Sequence, residues 1–123
     1  MNFKDGLPIY MQIAERMSDE ILAGVYPPEG RVPGVREYSA NLGVNVNTIV
    51  KAFELLSQQG IIAARRGMGY YVTAEAPQQI RCERKQQFRN QVLPELFRQM
   101  HLLGVSIDEV NEAYRQHSAA SAE

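Results

Sequence analysis

Few side chains in this sequence are placed for catalysis. His101 and His117 have no matching neighbours at metal-ligand spacing, so no metal is expected. No Ser-His-Asp set, paired-carboxylate site or phosphate-loop pattern occurs. Gly67-Met68-Gly69 lacks both the third glycine and the following helix of a dinucleotide fingerprint. Cys82 lies beside Arg81 and Arg84, cations that can lower a thiol pKa and make it an oxidant sensor, although an inert helix cysteine is the plainer reading. The expectation is a protein with no enzymatic activity and no cofactor. What the remaining polar residues can do is recognition: Asn45, Asn47, Thr48 and Lys51 crowd one short stretch, with Arg36 before it and Arg65-Arg66-Gly67 after it.

That stretch, Val44 to Phe53, predicts a helix with two different sides. Asn45 suits the N-cap, its side-chain oxygen accepting from a free N–H of the first turn. Ile49, Ala52, Phe53 and Leu56 follow at i, i+3, i+4 and i+7, one apolar stripe to bury. Val46, Asn47, Val50 and Lys51 lie off the stripe, on a face that could enter a DNA groove. The helix runs to about Gln59 and stops at Gly60.

The elements around it must hold it in place. Ile9, Ile13, Met17 and Ile21 predict a first helix from Pro8 to Ala23, with Glu15, Asp19 and Glu20 on a solvated face. Pro27-Pro28-Glu29-Gly30 predicts a turn, and Arg31-Val32 a very short strand. A second helix spans Val35 to Leu42, with Glu37 at the third position as in a capping box and Gly34 where a capping hydroxyl usually stands. Gly43-Val44-Asn45 then joins two helices by a tight glycine turn, a helix-turn-helix signature. Ile61 to Arg65 and Tyr70 to Thr73 flank Arg66-Gly67-Met68-Gly69, which reads as a β-hairpin with a basic tip. Tyr10, Tyr38, Phe53 and Tyr71 are expected in or beside the core.

The fold class expected is mainly α with a small β-hairpin wing: a winged helix-turn-helix domain over residues 1–75 and a helical dimerisation region over residues 76–123. Ala74 to Gln79 is a composition break with Pro77 as boundary. Ile80 to Leu103 reads as a long helix, kinked or broken near Asn90–Leu93 because Pro94 has no N–H for the Asn90 carbonyl. Ser106-Ile107-Asp108-Glu109 is a capping box opening a last helix to about Gln116, with Val105 stapled on Val110 and a frayed tail from Ser118. Two helices alone have too little to bury, so Phe88, Val92, Leu96, Phe97, Met100, Val110 and Tyr114 are expected to form a homodimer interface.

Composition restricts the partners. The chain has 123 residues, a net charge of −1 and one cysteine, which fits a reducing, cytoplasmic compartment. No apolar run is long enough for a membrane helix, and no signal segment is expected. Residues 1–75 carry seven basic and eight acidic groups, so bulk charge provides no long-range pull on phosphate. A nucleic-acid reader would need Arg31, Arg36, Lys51, Arg65 and Arg66 gathered on one face.

Four motifs carry a family resemblance over residues 8–72. Pro8-Ile9-Tyr10-Met11-Gln12-Ile13, Gly30-Arg31-Val32-Pro33-Gly34-Val35-Arg36-Glu37, Asn45 to Phe53 with Leu56 and Gly60, and Arg65-Arg66-Gly67-Met68-Gly69-Tyr70-Tyr71-Val72 resemble the GntR family of bacterial transcription regulators. The short helical C-terminal part resembles its YtrA-type subfamily, whose appendage dimerises; the length leaves no room for the larger ligand-binding or aminotransferase-like domains of other relatives. The function expected is a repressor that binds double-stranded DNA as a homodimer, and two-fold symmetry implies a palindromic operator. Two modes of regulation stay open: an unidentified small-molecule effector in a pocket of the dimer half, or helix packing alone. The resemblance implies base or phosphate contact by Arg36, adenine reading by Asn47, phosphate contact by Thr48 and Lys51, and minor-groove contact by Arg66 and Gly67, with Asn45 and Arg65 in support. Two residues depart from the family pattern. Gly34 replaces Ser, and Val46 replaces an Arg, so Val46 can offer only an apolar contact such as a thymine methyl. The plainer readings pair Lys51 with Glu54 and make Arg65 and Arg66 solubilising. The alternative function is a winged helix for protein contact without DNA binding.

Overall fold

Helical periodicity builds the first part of the chain. The computed structural model describes residues 6–121, which fall into two compact units, one ending at Glu83 and one beginning at Arg84. Helix α1 (Ile9–Leu22) follows Pro8, whose carbonyl accepts from the Met11 and Gln12 N–H groups. It buries Ile13, Met17 and Ile21, four residues apart. Helix α2 (Val35–Leu42) buries Tyr38, and helix α3 (Val46–Gln58) buries the stripe of Ile49, Ala52, Phe53 and Leu56. Strands β1 (Ile62–Arg65) and β2 (Gly69–Val72) pair antiparallel, Ile62 opposite Val72 and Arg65 opposite Gly69.

Phe53 sits at the middle of this core. Its ring meets Tyr70 edge-on at 5.1 Å and Tyr38 at 6.0 Å, tying α3 to β2 and α2. Burying a side chain of this size contributes roughly 1.5–3 kcal/mol. The short strand expected at Arg31-Val32 reduces to a bridge between Arg31 and Tyr71, where the Val32 N–H donates to the Tyr70 carbonyl and the Val72 N–H to that of Gly30. Gly30 is required here, because a Cβ at this position would lie 2.8 Å from the Pro27 carbonyl oxygen.

Helix α4 (Ala76–Gln87) begins earlier than periodicity predicts. Pro77 does not end a domain; it occupies the first turn of α4, where its missing N–H costs no hydrogen bond. Ala76 and Ile80 are buried with the N-terminal core, Gln79 Nε2 donates to the Gln59 carbonyl and Thr73 Oγ1 to that of Gly60 at 2.7 Å. The first compact unit accordingly extends past residue 75 to Glu83.

Pro94 disturbs the helix where expected, but the chain stays helical. Residues Phe88–Val92 form a π turn and α5 (Leu93–Leu103) continues from it. The Leu93 N–H donates to the Phe88 carbonyl, five residues back, which re-registers the ladder ahead of the residue that has no N–H. Gly104 closes α5 in the left-handed region, and the Glu109 N–H donates to Ser106 Oγ at 3.2 Å, one half of the expected capping box. Helix α6 spans Ile107–Ser121, so the stretch expected to fray from Ser118 is helical up to Ser121; Ala122 and Glu123 lie outside the described residues. Among the described residues no helix is long and apolar enough to cross a membrane.

Candidate nucleic-acid interface

The turn between α2 and α3 is fixed from both ends. Gly43 adopts φ 68°, a conformation that side-chain-bearing residues disfavour, and its N–H donates to the Ser39 carbonyl at 2.9 Å. Ser39 Oγ donates to the Val44 carbonyl, a stitch across the turn that spacing alone does not reveal. Asn45 caps α3, Oδ1 accepting from the Asn47 N–H at 2.8 Å. These contacts orient the first turns of α3, whose outward residues Asn45, Val46, Asn47, Val50 and Lys51 are exposed. Thr48 is only half-buried rather than open, so it offers less surface than its neighbours.

Helix α2 is held by a carboxylate with two tyrosine partners. Tyr38 Oη donates to Glu20 Oε1, and Tyr26 Oη donates to Glu20 Oε2 at 3.4 Å. Burial and then the Glu20 charge push the Tyr26 hydroxyl up to about 12; burial and then the hydrogen bond to Glu20 push the Tyr38 hydroxyl up as well. Glu15 and Asp19 are exposed as expected, whereas Glu20 is half-buried and serves as the clamp between α1 and α2. Arg36 stands two residues before Tyr38 on the exposed side of α2.

The wing gathers two guanidinium groups. Gly69 and Tyr71 point to one face of β2 by strand alternation, and Arg65, opposite Gly69, shares that face. The Arg65 guanidinium lies over the Tyr71 ring at 4.0 Å, and the Arg31 guanidinium lies 3.5 Å from where a Gly69 side chain would begin. Tyr70 and Val72 point the other way, Tyr70 onto Phe53 and Val72 into the core. Arg66, Gly67 and Met68 form the exposed tip, closed by the Met68 N–H on the Arg65 carbonyl at 2.8 Å.

Of the five cations that a DNA reader would gather, the wing brings Arg31 and Arg65 together. Lys51 does not take the Glu54 pairing of the plainer reading: its Nζ lies 4.6 Å from the centre of the Tyr10 ring on α1. Among the described residues none of Arg31, Arg36, Lys51, Arg65 and Arg66 has a carboxylate partner, although the surrounding chain is rich in acids. Unneutralised cations on a short hairpin repel one another unless an anion joins them, which makes this surface chemically suited to phosphate. Tyr71, expected in or beside the core, instead lies half-buried on the wing surface under Arg65. Its signal is the glycine-then-aromatic alternation of β2, which turns Tyr71 away from the face that Tyr70 and Val72 bury.

Residues 9–72 match the family model of bacterial regulatory proteins of the gntR family. The chain belongs to the GntR family. The HTH-type transcriptional repressor YtrA of Bacillus subtilis is 32% identical over 116 residues, spanning 94% of this chain and 88% of its own length. That near-full-length match agrees with the YtrA-type resemblance of the C-terminal part. Among solved structures, a GntR-family transcriptional regulator from Bacteroides thetaiotaomicron is 39% identical with a TM-score of 0.74, over 93% of this chain and 99% of its own. AraR(DBD), solved in complex with operator ORR3, is 32% identical with a TM-score of 0.53, over 59% of this chain and 88% of its own. The GntR family is one of DNA-binding transcription regulators, which are not enzymes.

Proposed function

We propose that this GntR regulator is a cytoplasmic repressor that binds a palindromic operator as a homodimer. The observation that carries the DNA reading is the exposed, capped face of α3 between cations that, among the described residues, no carboxylate neutralises. Helix α3 enters the major groove, with Asn47 on adenine and Arg36 from α2 on a base or phosphate. Arg65, Arg66 and Gly67 of the wing reach the flanking backbone and minor groove, and Arg31 joins them. Asn45 keeps its capping role, Thr48 adds a phosphate contact, and Lys51 reaches phosphate by leaving the Tyr10 ring. The name of the Bacillus subtilis relative supports repression.

Residues 76–123 supply the dimer contacts in this reading. Phe88, Val92, Leu96, Phe97 and Tyr114 are exposed, Met100 and Val110 are half-buried, and a second copy supplies their cover. A shallow concavity lined by Phe97, Met100, His101, Gly104 and Val105 offers a place for an unidentified small-molecule effector.

Selection of bound fragments from random DNA tests this function. An inverted repeat should emerge, with half-sites about one helical turn or a multiple apart, and its affinity should fall steeply with salt. Replacing Arg36 by Ala should weaken operator binding by roughly 1–3 kcal/mol. Binding without sequence preference, or a monomer by mass measurement at micromolar concentration, overturns the corresponding part of the proposal.

A further inference from the structure

The outward face of α3 carries two side chains that its other roles do not explain. Val46 and Val50 are each 37% exposed, stand outside the core cluster and have no hydrogen-bonding group. Both are β-branched, and at exposed helix positions an unbranched residue is the better helix former. Single exposed valines are ordinary, but these two lie one turn apart in the N-terminal half of the helix, beside the exposed polar groups of Asn47 and Lys51.

We infer that Val46 and Val50 form a paired reader of pyrimidine C5-methyl groups, so that the operator half-site carries thymines at two fixed positions. This rests on the DNA-binding reading above and names the base chemistry that the same face selects. In the major groove thymine presents a methyl group, whereas the edges of guanine, adenine and cytosine present donors and acceptors. Valine can replace water at a methyl without loss; against the other edges it strips water from polar atoms and returns nothing. The two side chains are about 6 Å apart along the helix, close to two base steps of about 3.4 Å. The pair therefore addresses methyls roughly two base pairs apart, on either strand. With Asn47 on adenine, the centre of each half-site becomes A·T-rich.

The test uses the full chain and the operator obtained by selection. Each thymine is replaced in turn by deoxyuridine, which removes the methyl and keeps the pairing edge, and the Kd is read by fluorescence anisotropy. Loss of one buried methyl should weaken binding about four-fold. That loss is expected at two positions per half-site, roughly two base pairs apart, and not at the flanking thymines. Val46→Ala should abolish the uracil sensitivity at one of the two positions and Val50→Ala at the other, while sensitivity at the partner position stays. A purely structural role for either valine would lower affinity equally for thymine and uracil operators. Uniform insensitivity to uracil, or unchanged sensitivity in both variants, overturns the inference. If the chain selects no sequence at all, the DNA-binding reading itself falls; if it selects one and ignores uracil, only the methyl reading falls.

Discussion

The two compact units solve the burial problem in opposite ways. In the first, Ile13, Met17, Tyr38, Ile49, Phe53, Leu56 and Val72 all leave solvent, and the cations of the wing and α3 have no carboxylate partner among the described residues. In the second, the π turn and α5 bury no residue, yet Phe97 is 53% exposed, Leu103 73% and Tyr114 70%. Two of its arginines, by contrast, have carboxylate partners: Arg98 forks onto Glu95 at 2.7 Å and Arg115 meets Glu112 at 2.9 Å. One unit closes its core and, among the described residues, leaves the cations of its wing and α3 without a carboxylate; the other pairs these two arginines and leaves large apolar side chains exposed. In the function proposed above, the first surface meets a polyanion and the second a copy of itself.

Replacing Phe53 by Ala breaks the complete core and should cost about 3–5 kcal/mol, measured by urea denaturation at any protein concentration. Replacing Phe97 by Ala sharpens the contrast. Its effect should be concentration-dependent, with a lower melting temperature for dilute samples and more monomer by mass measurement. Equal, concentration-independent losses in the two variants would erase the distinction between the units.

A smaller effect is expected at the Glu20 clamp. Tyr38→Phe removes one of two hydroxyl donors to a half-buried carboxylate and should destabilise by roughly 1–3 kcal/mol. Because the folded protein raises the Tyr26 hydroxyl from 10.0 to about 12, the folded state holds that proton more tightly than the unfolded chain does. The stabilisation is therefore complete below pH 10 and is lost as pH rises through about 12. Wild-type stability should fall over that window, and the Tyr38 variant should fall less steeply. The smallest effect is expected at Glu95. Arg98, then Gln99, hold its carboxyl down to about 2, but the group is fully exposed and screened by water. Glu95→Gln should leave the thermal midpoint within error at neutral pH.

How far the sequence reveals all this varies with the range of the interaction. The α3 stripe, the Asn45 cap and the hairpin are local patterns, and the residues alone place them within a residue or so. The N-terminal end of α4 is not local: Pro77 reads as a boundary, and only the fit of Ala76 and Ile80 into a distant core makes it a helix start. Glu20 reads as solvated because its tyrosine partners come from outside α1. Lys51 illustrates the same limit: Glu54 is its neighbour in sequence, whereas Tyr10 is its neighbour in space. The gathering of Arg31 with Arg65 depends on a bridge between Arg31 and Tyr71.

The contact of Arg65 with Tyr71 has a consequence of its own. A cation held 4.0 Å from a ring centre is attracted by the ring's quadrupole, an interaction that consumes none of the guanidinium's N–H donors. A free arginine surrenders about 2 kcal/mol of rotamer entropy when it is fixed, and at this wing part of that ordering is already done when the hairpin folds. Whatever anion arrives meets a donor that is partly ordered beforehand, and less of the binding free energy goes into stilling it.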